Sequence, residues 1–357
     1  MDIGRMIISK YRYFLYKLYG RNIMGIMNEG IKCEVEKYNK INQSDIVHPC
    51  VRFSANKFKG HHWWLIYTPY YEANPDVENP ILCYGVANDD KPPTNWVFYC
   101  EVNGKPEYGY NSDPTMFFRE EELNTFWREN HTTRTHSDGF ERATYGCIIS
   151  QKDSHYYKNP ILYEKSSFED KEVSPAIIKS ESGYTAYAIH FRFRNPKLHF
   201  KNNVLEIISN KLLWIFSLLE IFSEKRSYGV SIWKSKAIDE KFNYVKTTKI
   251  KNLNKLYKPW HIDVFEHDGK LYSVIQTNQC NADICLAVSE DNETFTMYNK
   301  PLITNQNINK LGIYKPTAFV HKDIFYLYYT AQNKNNRALN KMYLTKMPFT
   351  EVISKLQ

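Results

Sequence analysis

Three things are scarce in this sequence. Its 7 cysteines (positions 33, 50, 83, 100, 147, 280 and 285) form no Cys-x-x-Cys pair and no cysteine/histidine spacing of the zinc-finger kind. That excludes a small disulfide- or zinc-stapled framework and reads as buried thiols in a reducing compartment. Basic blocks are missing too: the net charge of +8 is spread thinly. No nucleic-acid recognition motif matches, so the charge sets only the sign of a ligand, such as an acidic or phosphate-bearing glycan. Long apolar runs are the third absence. Charges break up MIISKYRYFLYKLYGRNIMGIM near the start, leaving no signal-peptide core, and the run from Leu212 to Phe222 is too short to span a bilayer. A cytoplasmic protein without membrane association is expected.

What is abundant is aromatic: 28 Tyr, 20 Phe and 7 Trp among 357 residues. Flat rings cover neighbouring strands and lose little entropy there, so this composition leans towards β structure. Closed all-β folds reach this length without splitting into domains.

Five weak repeats run along the chain. Each has a polar-Pro or polar-aromatic opener leading an apolar strand, then a Tyr-rich strand, then a third strand ending in charged turn residues. The openers are HPCVRF from His48, NSDPTMFF from Asn111, SPAII from Ser174, WHIDVF from Trp260 and YKPTAFV from Tyr314. The fourth repeat carries His267-Asp268-Gly269, a hairpin signal. Five copies of roughly 50–70 residues suit four-stranded propeller blades, which close in a ring and leave few exposed edges. The reading is a five-bladed β-propeller over 46–350, with blades at about 46–110, 111–173, 174–258, 259–312 and 313–350. Residues 1–45 fall outside the pattern. Ile7, Ile8, Tyr11, Phe14, Leu15 and Leu18 recur at helical spacing, which predicts an N-terminal helical extension. A second helix is expected in blade three, at Leu212 to Phe222.

In a propeller the entries to the innermost strands and the links between second and third strands lie at one end. His48, Asp113, Ser174, His261 with Asp263, and Tyr314 with Lys315 are therefore expected to ring one mouth, joined by Glu78, Asn79, Arg128, Glu141, Arg142, Arg192 and Trp260. Arg194, Lys197, Lys334 and Arg337 make the expected rim basic. Blander readings stand beside these. Asp113 before Pro114 can cap a strand entry, and Glu78-Asn79-Pro80 can fix a loop.

From residue 46 to about 350 the pattern resembles the five-bladed propeller glycosidases of glycoside hydrolase families 43 and 32, and bacterial and prophage proteins of glycosidase-like type. The resemblance rests on WWLIYTPY from Trp63, ENPI from Glu78, Asn95-Trp96, NSDP from Asn111, WHIDV from Trp260 and YKP from Tyr314. It implies three carboxylates, one in each of the first three blades: a base or nucleophile, an aspartate that tunes the acid, and a glutamate that protonates the leaving group. Asp113 matches residue by residue. The other two places hold His48-Pro49-Cys50 and Val173-Ser174-Pro175 instead. Glu78, Glu141, Glu172 and Asp263 are replacement acids nearby, Asp263 being best placed because it opens an inner strand.

The expected function is glycan-active, a glycoside hydrolase-like or glycosyl-transfer enzyme on a bacterial polysaccharide. Asp113, Asp263 and His261 would be catalytic, and His48, Glu78, Asn79, Arg128, Glu141, Arg142, Arg192, Trp260, Tyr314 and Lys315 would bind substrate. No cofactor is required, although Asp113, Asp263 and His261 leave room for a channel-bound Ca2+. The alternative is a non-catalytic glycan-binding or structural propeller of a surface-polysaccharide or phage-related system. The sugar, the linkage and the oligomeric state stay open.

Overall fold

A computed structural model describes residues 24–36, 45–71, 74, 77–86, 91–106, 109–131, 140–150, 154–166, 170–180, 182–192, 228–253, 257–277, 283–308, 312–332 and 340–357. Two short strands come first, β1 (Ile31–Lys32) and β2 (Glu34–Val35). Next are β3 (Ile46–Phe58), β4 (His61–Pro69), β5 (Ile81–Gly85) and β6 (Asn95–Glu101). A second group holds β7 (Tyr110–Arg119), β8 (Glu122–His131), β9 (Phe140–Ser150) and β10 (Ser154–Ser166). The third holds β11 (Asp170–Ser180), β12 (Gly183–Arg192), β13 (Tyr228–Ser235) and β14 (Asn243–Thr248). The fourth holds β15 (Pro259–His267), β16 (Lys270–Thr277), β17 (Asp283–Ser289) and β18 (Thr296–Met297). A short helix α1 (Asn305–Ile308) leads to β19 (Gly312–His321), β20 (Ile324–Gln332), β21 (Asn340–Pro348) and the closing helix α2 (Phe349–Leu356).

These strands form five sheets, four of four strands and one of five. Each group is an up-and-down antiparallel meander, joined by tight turns where the backbone can turn left-handed. Between β15 and β16, Asp268 (φ 49°) and Gly269 (φ 70°) make the two-residue hairpin expected of Asp-Gly. The first strands β3, β7, β11, β15 and β19 each touch the next, and β19 returns to β3. The result is an all-β propeller arrangement with these first strands innermost.

Sheets stacked face to face bury both sides of their middle strands. This explains the buried, mostly apolar runs of β16 (LYSVI) and β20 (IFYLYY). Five clusters fill the five gaps between neighbouring sheets. Trp64, Ile66 and Leu82 meet Met116, Leu123 and Trp127, and Phe117 and Phe126 meet Ile177, Tyr184 and Ala186. Ile189, Val230 and Ile232 meet Ile262 and Ile275, and Val274 and Leu286 meet Phe325 and Leu327. The ring closes where Trp63 and Trp96 pack on Tyr328, Met342 and Leu344. Helix α2 caps one cluster with Phe349, Val352 and Leu356, which share a face at helical spacing.

Of the N-terminal segment, residues 24–36 are described, and they serve as sheet edges. Residues 24–36 contain no helix. β1 pairs antiparallel with β21 as the outer strand of the last sheet, and β2 pairs parallel with β6 at the outer edge of the first. The last sheet has only three strands of its own, so its outer edge would otherwise stay unpaired. The reason the sequence conceals this is length: two-residue strands carry no periodic pattern. The helices expected at Ile7 to Leu18 and Leu212 to Phe222 lie outside the described residues. Among the described residues no helix is long and apolar enough to cross a membrane. Cys33, Cys50, Cys83 and Cys285 are buried thiols and Cys100 is half-buried.

Candidate functional site

The site grows from one repeated irregularity. The pairing of β3 with β4 slips between Val47 and Cys50, β7 with β8 between Ser112 and Thr115, β11 with β12 between Val173 and Ala176, and β19 with β20 between Tyr314 and Thr317. Each slip is a bulge made of a polar residue and a proline: His48-Pro49, Asp113-Pro114, Ser174-Pro175 and Lys315-Pro316. A bulge re-aims a side chain and tolerates a proline that has no ladder donor. All four polar residues sit at positive φ, with His48 at 54°, Asp113 at 52°, Ser174 at 56° and Lys315 at 21°. Such a backbone costs about 1–3 kcal/mol per residue and persists only where the surroundings over-determine it. β15 has a bulge without proline, between Pro259 and His261. All five first strands therefore turn polar side chains towards one place.

Asp113 lies at the centre of that place and is fully buried. Its Oδ1 is 3.1 Å from His48 Nε2 and 3.8 Å from His261 Nδ1, and accepts from Ser174 Oγ at 3.3 Å. Its Oδ2 forms a 2.6 Å ion pair with Arg128 Nη2, bent away from the line of a directed hydrogen bond. Burial alone would push this carboxyl up. Arg128, His48, His261 and Lys315 outweigh it and hold Asp113 well below the usual carboxylate range.

Both histidines are oriented through Nδ1. His48 Nδ1 lies 3.0 Å from Thr68 Oγ1 and 3.3 Å from Glu78 Oε2, while Thr68 Oγ1 donates to Glu78 Oε2 at 3.4 Å. Nδ1 of His48 thus faces a hydroxyl and a carboxyl, while Nε2 faces Asp113. His261 Nδ1 contacts Ser174 Oγ, whose hydroxyl also reaches Asp113 Oδ1. His261 Nε2 is buried with no hydrogen-bond partner among the described residues. Burial pushes the His261 imidazole well below its ordinary value and favours the neutral ring. The Tyr314 hydroxyl completes the wall, 3.2 Å from His48 Nε2, with its ring 4.6 Å from that of His261. Burial holds Tyr314 protonated and pushes the Glu78 carboxyl up.

The candidate ligand atoms of His48, Asp113 and His261 all lie within 4.8 Å of one another. His48 Nε2 stands between the Asp113 carboxylate at 3.1 Å and the Tyr314 hydroxyl at 3.2 Å.

Other expected residues occupy different places. Lys315 is buried, its Nζ donates to Pro114 O at 3.1 Å, and burial pushes its amine down. Asp263 is gripped by Arg52 Nη2 at 2.6 Å and Nη1 at 3.1 Å, by Thr317 Oγ1 at 2.6 Å and by Ala318 N at 3.3 Å. That is the environment of a structural ion pair. Asn79 accepts from Asn111 Nδ2 at 2.8 Å and donates to Glu101 Oε1 at 2.9 Å, pinning the first sheet to the second. Trp260 is half-buried beside the pocket, its ring 6.0 Å from His261 and 5.1 Å from Lys258 Nζ. The side chains of Glu141, Arg142, Glu172 and Arg192, and residues Arg194, Lys197, Lys334 and Arg337, lie outside the described part. Sequence reasoning overlooked Thr68, Arg52 and Thr317. Arg52 alone carried a signal, a charge inside an apolar inner strand that must find a partner.

No family model and no curated protein matches this chain by sequence. Solved structures do match in fold. An N-acetylgalactosamine deacetylase from F. plautii, in complex with blood group B trisaccharide, superposes with a TM-score of 0.69 at 13% identity, over 92% of this chain and 97% of that one. A levansucrase from B. megaterium gives 0.59 at 11% identity over 95% and 92%. The GH43_1 enzyme from Xanthomonas citri complexed with xylotriose gives 0.55 at 11% identity over 89% and 90%. The chain thus has the propeller fold found in glycoside hydrolases and in that deacetylase.

Proposed function

We propose that this chain is a glycan-active hydrolase whose central pocket holds a divalent metal ion between His48, Asp113 and His261. One observation carries the reading: two buried imidazoles and one buried carboxylate bring candidate ligand atoms within 4.8 Å of one another at the converging bulges. Ligands of a zinc-type ion stand about 2.0–2.2 Å from it, so the three groups need to close by only about an ångström. Three protein ligands with an open position characterise catalytic sites, whereas structural sites are closed by four. Two imidazoles also suit a transition-metal ion better than Ca2+, which takes six or more oxygens. When bound, such an ion lowers the pKa of a water to about 7 and polarises a carbonyl.

The chain's own residues complete the chemistry. Glu78 and Thr68 orient His48, and Ser174 orients His261, as outer-shell partners do for ligating histidines. Tyr314, protonated and aimed at the same point, can donate to an oxygen that gains charge. Trp260 offers an aromatic face beside the pocket for a sugar ring. The five sheets serve as five blades, which is why five entries converge. The shared fold includes an enzyme named for removing acetyl from an amino sugar, so acyl-substituted glycans join glycosidic bonds as candidate substrates.

Glu78 and Asp113 support a second reading. They flank opposite nitrogens of His48, and their environments push the two carboxyls apart, Glu78 up and Asp113 down. A raised acid beside a depressed base is the pairing of carboxylate glycosidases.

One experiment separates these. Metal-stripped protein is titrated with Zn2+ by calorimetry, and a panel of acetylated and unmodified oligosaccharides is assayed with and without chelator. The metal reading expects one Zn2+ per chain, lost in H48A and H261A, and chelator-sensitive release of acetate or sugar. Turnover that survives chelation and is lost in both E78Q and D113N belongs to the carboxylate reading. Glycan binding without any turnover returns the protein to the non-catalytic class.

A further inference from the structure

The pocket assigns Asp113 a partner that carries no ligand atom of its own. Arg128 stands on β8, directly across the ladder from Ser112, the residue before the Asp113 bulge. Its Nη2 reaches Asp113 Oδ2 at 2.6 Å and Ser112 Oγ at 3.3 Å. Asp113 is fully buried and Arg128 largely so, with side-chain exposures of 0% and 14%. The other carboxylate oxygen, Oδ1, faces His48, Ser174 and His261.

We propose that Arg128 is a positioning residue that occupies one oxygen of Asp113, so that the carboxylate meets the metal through Oδ1 alone and in one orientation. This rests on the metal reading above. A carboxylate on a two-bond side chain rotates freely unless both oxygens are engaged, and a guanidinium is the side chain that holds one without competing for the ion. The buried cation beside a cationic ion is otherwise a liability: Coulomb repulsion between like charges weakens metal binding. Its presence is explained if orientation outweighs repulsion, and that comparison has a sign an experiment can read.

The test uses the full-length protein loaded with Co2+, whose visible absorption reports coordination. Wild type, R128M and R128K are compared for Co2+ affinity by competition with a chelating dye, for the visible band, and for melting temperature. Positioning predicts looser Co2+ in R128M by roughly 10- to 100-fold, the usual effect of losing an outer-shell partner, together with an altered band. R128K retains the buried charge without the guanidinium fork and is expected to show the same changes in smaller measure, so it reports even if R128M does not fold. A purely electrostatic role has the opposite sign: removing the cation tightens Co2+ in R128M. Tighter or unchanged binding with an unchanged band in a folded variant overturns the proposal while leaving the metal reading intact. Failure of wild type to bind Co2+ overturns both.

Discussion

Asp263 offers the sharpest separation between sequence expectation and structure. Its carboxylate is buried at 4% exposure and accepts four contacts, two from Arg52 and one each from Thr317 Oγ1 and Ala318 N. Replacing it by Asn keeps the shape and removes the charge. It leaves the Arg52 guanidinium unpaired and sets an amide donor against the donors that surround the site. Breaking one partner of a buried pair costs about 3–5 kcal/mol, because the remaining charge stays desolvated without compensation. The entropy of unfolding is about 2.1 cal/mol/K per residue, or ~0.75 kcal/mol/K over 357 residues. D263N should therefore lower the melting temperature by about 4–7 °C in differential scanning calorimetry. The double variant R52M/D263L removes both charges and should recover most of that loss. Zn2+ binding and turnover per folded molecule should be unchanged in both. Loss of turnover in D263N at an unaltered melting temperature would refute this reasoning and restore Asp263 as a catalytic carboxylate.

Three further outcomes follow from other parts of the ring. Asp45, buried where the first and last sheets meet, accepts from Asn340 N at 2.6 Å, and burial raises its carboxyl to about 6. A raised acid favours its protonated form in the folded state, so its contribution to stability is present at low pH and is lost as pH rises through about 6. D45N should melt higher than wild type at pH 7.5, with the difference vanishing near pH 4. Deleting the residues up to 36 removes β1, β2 and the bonds Cys33 N to Met342 O and Glu34 N to Thr94 O, each 2.8 Å. The exposed edges of β6 and β21 should lower the melting point and promote self-association, read by light scattering. Gly183 has φ of 135°, and a Cβ there would stand 2.2 Å from Ser235 O. G183A should cost roughly 1–3 kcal/mol in urea unfolding, whereas G269A, whose Cβ meets nothing within 4 Å, should carry only the strain of its left-handed backbone.

Much of the scaffold was written in local pattern. Apolar inner strands, Tyr-rich second strands and Asp-Gly at a hairpin repeat because each sheet must bury both faces of its middle strands, and that demand is met residue by residue along the chain. The openers were legible for a related reason. A polar residue before proline inside an apolar strand contradicts the ladder unless a bulge accommodates it, so His48, Asp113, Ser174 and Lys315 announced themselves. β1 and β2 did not, since two residues cannot display a period, and their partners lie at the far ends of the chain.

What the sequence by itself determined is the strand grammar and the identity of the polar groups sent to the centre. It could not determine which of those groups meet. His48, Asp113 and His261 are separated by 65 and 148 positions along the chain, and only closure of the ring brings them within 4.8 Å. The same closure sorts two carboxylates that looked alike in sequence. Asp263 stands two residues from His261 on one strand face, yet Arg52 from the first sheet claims it. Asp113 keeps an oxygen facing the two imidazoles. Charge pairing across sheets depends on distance in space, which a one-dimensional pattern does not contain, and that is where the candidate chemistry of this protein was decided.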